Sequence, residues 1–72
     1  MSQTTFSLDG SPFIELNKLL KICSLVQSGG EAKMLIREGL VQVNGENEYR
    51  IRRKLKQSDT VVIEDTLIEI LE

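Results

Sequence analysis

Residues 28–45 have the sequence SGGEAKMLIREGLVQVNG, and this stretch carries local signals for a helix followed by a hairpin. Ser28 is a predicted N-cap that can accept a hydrogen bond from the Glu31 amide, while the Glu31 carboxylate reaches back to the Ser28 amide as a capping box. Gly39 is predicted to end the helix at the position where a left-handed residue is favoured. The predicted buried face of this helix consists of Ala32, Leu35 and Ile36.

After Gly39 the spacing of the apolar residues changes from the helical period to a period of two. Val41 and Val43 alternate with a polar residue, which is typical of a half-buried strand. Asn44-Gly45 then indicates a type I′ hairpin turn. We expect the return strand to run through about residues 46–51.

A first helix is predicted upstream, with Ser11 as its N-cap and Pro12 at its first helical position. Its apolar face has the helical spacing i, i+3, i+4, i+7 and consists of Leu16, Leu19, Leu20 and Cys23. The first eight residues carry Phe6 and Leu8 at a period of two, and they are interpreted as a tail or a short edge strand.

Two further strands are predicted at the end of the chain, at residues 60–63 and 67–71. Turns at Ser58-Asp59 and Glu64-Asp65 precede them. The resulting prediction is a single α+β domain over residues 1–72, in which a two-helix motif packs against a small antiparallel β-sheet.

The composition excludes several classes of function. The chain has 72 residues, no histidine and one cysteine. Histidine-dependent catalysis and metal binding, a disulfide framework and a Cys₄ zinc site are therefore excluded. Without a paired-carboxylate, phosphate-loop or nucleophile signature, we expect no enzyme, cofactor or metal. Residues 1–5 do not resemble a signal peptide, and no apolar run could span a bilayer, so we expect a cytoplasmic protein without membrane contact.

The charges are unevenly distributed along the chain. The formal net charge of −2 argues against a nucleic-acid partner when it is taken alone. However, residues 33–56 carry seven basic and three acidic residues, a net charge of +4, whereas residues 57–72 carry five acids and no base. Because electrostatic steering depends on the local field, the basic third could still attract a polyanion.

The densest basic feature is residues 50–56, with the sequence RIRRKLK. If this segment is extended, Arg50, Arg52, Lys54 and Lys56 project to one side at intervals of about 6.6–6.8 Å, which could follow a sugar-phosphate backbone. Ile51 and Leu55 would face the core. The alternative is a solvated charged strand, and we expect no compensating acid close to the run.

Several other features admit two interpretations. The amides of Gly29 and Gly30 could bind a phosphate, or the two glycines could form only the turn before the helix. Tyr49 could stack on a base or pack across strands. Cys23 is expected to be a buried small residue, and the C-terminal acids are a solubilising face or a partner site. Lys33 and Arg37 repel one another at i and i+4, which suggests that they bind an anion.

Taken together, these motifs resemble the S-four RNA-binding domain, named after the fourth small-subunit ribosomal protein. The resemblance covers about residues 13–63. It is carried by Leu16-x-x-Leu19-Leu20, Ser28-Gly29-Gly30-Glu31-Ala32-Lys33, Ile36-Arg37-Glu38-Gly39-x-Val41-x-Val43-Asn44-Gly45, Arg50-x-Arg52-Arg53-Lys54-Leu55 and Ser58-Asp59-x-Val61. The Ser-Gly-Gly-x-Ala-Lys stretch is most similar to the stand-alone bacterial branch, the YbcJ-like proteins.

This resemblance implies a non-enzymatic protein that binds structured RNA, either ribosomal or transfer RNA, and takes part in translation, with ribosomal or translation proteins as further partners. The implied RNA-binding residues, together with the adjacent cation of the basic segment, are Ser28, Lys33, Arg37, Arg50, Arg52, Arg53, Lys54 and Lys56. Gly29 stands where many members have arginine, so the phosphate contact of that arginine is not carried over to this chain. Ser58-Asp59 replaces a Gly-Asp turn. The alternative function is a protein-interaction module of the translation machinery.

Overall fold

Two helices and seven strands form within the described residues, and the predicted order of two helices followed by strands is present. The short strands Ile14–Glu15 and Lys54–Leu55 are not among those that the sequence predicts. The structure, a computed structural model, describes residues 2–72; Met1 lies outside the described residues. The elements are β1 (Ser2–Ser7), β2 (Ile14–Glu15), α1 (Leu16–Ile22), α2 (Gly29–Arg37), β3 (Val41–Val43), β4 (Glu46–Asn47), β5 (Lys54–Leu55), β6 (Thr60–Ile63) and β7 (Thr66–Leu71).

The strands form a five-stranded sheet in the order β1-β7-β6-β3-β4 and a separate two-stranded ribbon of β2 and β5. The α+β class with two helices is therefore confirmed. The main sheet is mixed rather than wholly antiparallel, because β1 pairs in parallel with β7, from Ser2 opposite Thr66 to Ser7 opposite Leu71. The N-terminal residues thus form a six-residue edge strand and not a tail.

Helix α2 forms where its local signals place it. The Ser28 side chain accepts a hydrogen bond from the Glu31 amide at 3.2 Å, which confirms the N-cap. The Glu31 carboxylate accepts from the Gln27 amide at 2.7 Å instead of the Ser28 amide, so the predicted capping box is displaced by one residue. Gly39 follows the helix with φ of +77°, as the left-handed termination requires.

Helix α1 begins at Leu16, so the predicted start at Ser11-Pro12 is wrong. Residues 14–15 are extended because they pair with β5. The first amides of α1 are satisfied from a distant part of the chain: the Leu16 amide donates to the Arg53 carbonyl at 2.9 Å, and the Asn17 amide donates to the Ile51 carbonyl at 3.1 Å. Because this cap comes from distant backbone carbonyls, the residues near the start of α1 carry no sequence signal for it.

The Asn44-Gly45 turn forms as predicted, with positive φ at both residues (+53° and +86°). The return strand is shorter than expected, because β4 ends at Asn47. Asn44 also secures the neighbouring strand, since its side chain accepts from the Thr60 amide at 2.9 Å and donates to the Asp59 carboxylate at 3.0 Å.

The core lies between the helices and one face of the sheet. Its fully buried side chains include Leu16, Leu19, Leu20, Ile36, Val41, Leu55, Val61, Ile68 and Ile70. Leu35 and Cys23 are half-buried against this core rather than enclosed by it. Burial raises the pKa of the Cys23 thiol and so favours its neutral form, in which cysteine packs as a small apolar residue.

Candidate nucleic-acid interface

The basic segment 50–56 is folded rather than extended. Residues 51–52 form a turn, in which the Arg53 amide donates to the Arg50 carbonyl at 3.3 Å, and only Lys54–Leu55 is a strand. The expected regular row of four cations is therefore wrong. Carbonyls of this segment are instead committed to capping α1, which bends the backbone over the helix start. Leu55 is buried and Ile51 packs partly against the core, as predicted.

Glu48 holds this folded segment in place. Glu48 is only 6% exposed, although both residues of the preceding strand β4 are exposed. The carboxylate accepts hydrogen bonds from the Arg50 guanidinium at 2.9 and 3.0 Å, from the Arg50 amide at 3.0 Å and from Arg53 Nη1 at 2.6 Å. A buried acid thus binds two arginines and one backbone amide at once.

These contacts change the titration of the groups involved. The side-chain hydrogen bond from Arg50 is the largest factor that holds the pKa of Glu48 at about 2, and it outweighs the desolvation that would raise this pKa. The same pair raises the pKa of Arg50. Glu48 is therefore a permanent anion at any physiological pH. The expectation that no compensating acid lies near the basic run is wrong.

Glu48 was missed as a site residue, although the sequence contains a signal for it. In an extended return strand, residues 48 and 50 lie on the same side, because side chains alternate. A carboxylate two positions before an arginine can therefore pair with it. In the structure the chain leaves the strand at this point, and the pair closes the bend.

The first of two basic grooves, the loop groove, lies along the folded segment. It is lined by Arg50, Arg52, Arg53, Lys54, Lys56 and Asp59. Among these described lining residues Asp59 is the one acid, and its carboxylate accepts hydrogen bonds from the Lys56 amide at 2.8 Å and from the Asn44 side chain at 3.0 Å. The Lys54 ammonium lies 4.9 Å from the centre of the Phe13 ring, a cation-π contact that fixes its direction.

The second groove, the helix groove, lies between the helices and the turn. It is lined by Asn17, Gly29, Lys33, Arg37, Ile51 and Arg52, with no carboxylate among them. Lys33 and Arg37 lie on successive turns of α2 and are exposed. Within residues 2–72, neither of them nor Arg52 forms an ion pair. Their charges are thus available to an anion.

Arg52 lines both grooves and joins them into one basic surface. Seven of the eight sequence-predicted residues therefore come together. The exception is Ser28, which lines neither groove and whose hydroxyl caps α2. The structure does not test the role of any of the eight in binding, which stays a prediction.

Two further residues complete the description of this surface. Asn17 was not predicted; it lines the helix groove, and its Oδ1 atom is buried without a hydrogen-bond partner among the described residues. Tyr49 packs over the end of α2, where a Cβ atom on Gly39 would lie 3.1 Å from its ring. Tyr49 is 58% exposed and lies outside both grooves. It packs against the end of α2 and not across strands as one interpretation expected, and its stacking on a base stays a prediction.

The described part of the chain offers little to other classes of site. No three metal-ligating side chains in residues 2–72 are grouped closely enough to hold an ion. Neither helix in this range has the length and apolar character needed to cross a membrane.

Comparison with known proteins places this geometry in a family. The S4 domain model matches residues 6–71. Escherichia coli YbcJ is 46% identical over 57 residues, which are 79% of this chain and 81% of YbcJ, and its name assigns RNA binding to it provisionally. RlbA of Bacillus subtilis is 45% identical over 51 residues, covering 71% of this chain and 72% of RlbA, and is provisionally named a ribosome maturation protein.

The solution structure of E. coli YbcJ superposes with a TM-score of 0.73 at 38% sequence identity, covering 94% of this chain and 86% of YbcJ, and is reported to reveal an ALFAL motif involved in RNA binding. Sequence and fold thus agree over most of the chain. This chain belongs to the S4 domain family.

Proposed function

We propose that this chain is a small, non-enzymatic RNA-binding protein that acts in the cytoplasm on structured ribosomal or transfer RNA. The observation that carries the proposal is the position of Arg52, which joins the helix groove and the loop groove into one surface. Five cations of this surface have no ion-pair partner within residues 2–72: Lys33, Arg37, Arg52, Lys54 and Lys56. Unpaired, exposed cations are the groups that a phosphate backbone can engage most readily.

The mode of recognition follows from the side chains that the surface offers. Phosphate contacts would come from Lys33, Arg37, Arg50, Arg52, Lys54 and Lys56, with Arg53 positioned behind them by Glu48. The chain has only two Phe and one Tyr, and none of these three lines either groove. Recognition by base stacking has little support, and recognition of backbone shape is favoured.

The relatives support the target class. YbcJ is described as having a motif involved in RNA binding, and RlbA carries a name in ribosome maturation. Both are similar to this chain over more than two thirds of its length. We therefore propose a ribosomal RNA, or a precursor of it, as the first RNA to test, with ribosomal proteins as neighbours in the complex.

Salt titration tests the proposal directly. If four to six phosphates are contacted, the logarithm of the affinity for a folded ribosomal RNA fragment falls with the logarithm of salt concentration at a slope of roughly −3 to −5. Affinity that stays constant from low to moderate salt would contradict the proposal.

A matched pair of charge reversals locates the surface. Arg52→Glu and Lys18→Glu change the net charge equally, and both side chains are exposed, but Lys18 lines neither groove and pairs with Glu15 at 3.6 Å. We expect Arg52→Glu to weaken RNA binding about 10- to 100-fold, the loss of one charged contact plus the repulsion of a new anion. Lys18→Glu should change it less than about threefold. Equal losses in both variants would mean that binding depends only on net charge.

A further inference from the structure

The sheet ends at β1, and nothing in the described chain covers its outer edge. β1 is the terminal strand next to β7, and Ser2, Gln3, Thr4, Thr5 and Ser7 are all exposed. A strand in this position presents a row of backbone groups that have no partner in the sheet.

Two backbone hydrogen bonds determine which groups face outward. The Ser2 amide donates to the Asp65 carbonyl at 2.6 Å, and the Leu8 amide donates to the Leu71 carbonyl at 2.9 Å. In a ladder, alternate residues direct both their N–H and C=O toward the same neighbour. Even-numbered residues therefore face β7, while Gln3, Thr5 and Ser7 direct their backbone groups to the open edge.

β1 lacks the features that usually protect a sheet edge. Its sequence SQTTFS contains no charge, no proline and no glycine, and it pairs with β7 in continuous register over six residues. The opposite edge is different, because β4 has only two residues, one of which is Glu46. Short and charged edges resist pairing with other chains, and long uncharged ones favour it.

We propose that β1 pairs with β1 of a second copy of this chain in a two-fold symmetric, antiparallel arrangement. Thr5 would lie opposite Thr5 on the symmetry axis, and Gln3 opposite Ser7. The three outward-facing residues of each copy then exchange about six hydrogen bonds, and no other register uses all three from both copies. The same three residues of β1 supply both halves of this pairing, so a second copy of this chain is the partner that fits the open edge best.

The side chains permit this pairing. On the core face, Thr4 of one copy lies opposite Phe6 of the other at a closely spaced position, which covers the partly exposed Phe6 ring. On the outer face, the nearest acid is Glu69, which is level with Thr5 on β7. The two Glu69 residues would be three strand spacings apart, about 14 Å, which exceeds the Debye length of about 8 Å at physiological salt.

The pairing should be weak on its own. A single six-residue strand pair buries less than the roughly 1,200 Å² of a stable interface. We expect a dissociation constant on the order of 100 µM, and therefore a monomer in dilute solution that dimerises as concentration rises.

Sedimentation equilibrium from 10 µM to 1 mM measures this association. Thr5→Pro removes the outward N–H at the symmetry axis without removing a bond to β7, and we expect it to weaken the dimer at least tenfold. Thr5→Val keeps the N–H and is the matched control, which should dimerise like the original chain. A chain that stays monomeric to 1 mM, or a Thr5→Pro variant that dimerises equally well, would overturn the proposal.

Amide hydrogen exchange of the unaltered chain provides a second measurement that does not depend on the folding of a variant. The amides of Gln3, Thr5 and Ser7 should become protected as protein concentration increases, while the Ser2 amide is protected at every concentration. Exchange at these three residues that is independent of concentration would also overturn the proposal.

Discussion

The two basic elements of this molecule hold their charges in different ways. On α2, Lys33 and Arg37 are positioned by helix geometry alone, and neither has an ion-pair partner in residues 2–72. In the 50–56 segment, Arg50 and Arg53 are positioned by Glu48, which is itself buried. The first element presents free cations, whereas the second uses an anion to shape the surface that carries its cations.

This difference shows what a count of charges omits. The +4 of residues 33–56 treats every cation as equal, but Arg53 is 28% exposed at its side chain and bonded to Glu48 at 2.6 Å. Arg50 remains 71% exposed and keeps donors free beyond those that Glu48 accepts. Charge reversal should therefore affect RNA binding at unpaired cations such as Lys33, and folding at Arg53, which is bonded to Glu48.

The largest contrast is expected between Arg53→Glu and Lys33→Glu. Arg53→Glu places a second carboxylate against the buried Glu48 and should lower the free energy of unfolding by about 3–4 kcal/mol. Lys33→Glu removes the repulsion with Arg37 and should raise it by about 0.2–0.5 kcal/mol while weakening RNA binding. Urea unfolding measures both, and equal destabilisation of the two variants would remove the distinction.

The next effect isolates the anion. Glu48→Gln keeps the shape of the side chain but removes the charge that pairs with Arg50 and Arg53, and we expect a loss of about 2–3 kcal/mol in urea unfolding. Glu46→Gln is the matched control on the same hairpin; Glu46 is exposed and should change stability by less than about 0.5 kcal/mol. Similar losses of unfolding free energy in both variants would mean that Glu48 does not hold residues 50–56 in place.

Acid titration should remove the same stabilisation gradually. The pKa of Glu48 is lowered from 4.5 to about 2, so its contribution is fully present above about pH 5 and is lost as the pH falls toward 2. About 2 kcal/mol of it should disappear by pH 3. The stability gap between the unaltered chain and Glu48→Gln should therefore narrow by that amount between pH 7 and pH 3. A constant gap would contradict the assignment.

The smallest effect concerns a single free cation. Arg37→Gln should weaken RNA binding only about three- to tenfold and make the salt slope shallower by about 0.7–0.9, the contribution of one phosphate contact. Its unfolding free energy should change by less than about 0.5 kcal/mol. Lys18→Gln, which lines neither groove, should leave the slope unchanged. An unchanged slope in Arg37→Gln would exclude this residue from the interface.

The parts of the fold that could be predicted are those whose signals are local. The Ser28 cap, the Gly39 termination and the Asn44-Gly45 turn each lie within a few residues of the element that they define, and all three form as predicted. The start of α1 could not be predicted in this way. Its first amides bond to the carbonyls of Ile51 and Arg53, more than 30 positions away in the chain.

The candidate site follows the same rule. Residue types and spacing selected six residues that line the grooves, namely Lys33, Arg37, Arg50, Arg52, Lys54 and Lys56, and the family resemblance added Arg53. Their arrangement was not predictable, because the bend at residues 50–53 depends on two long-range features. One is the buried Glu48, and the other is the pair of carbonyls by which the bend caps α1. Glu48 is visible in the sequence, but its burial is visible only in the structure.

The parallel pairing of β1 with β7 has a consequence for the order of folding. It joins Ser2 to Thr66 and Ser7 to Leu71, residues that are 64 positions apart (66 − 2 and 71 − 7). Closing a loop of that length costs roughly 4 kcal/mol of chain entropy, so we expect β1 to dock after the helices and hairpins have formed. Until then β7, with the apolar sequence TLIEIL, is the exposed edge of the sheet. The period before docking is thus when the chain is most prone to aggregate.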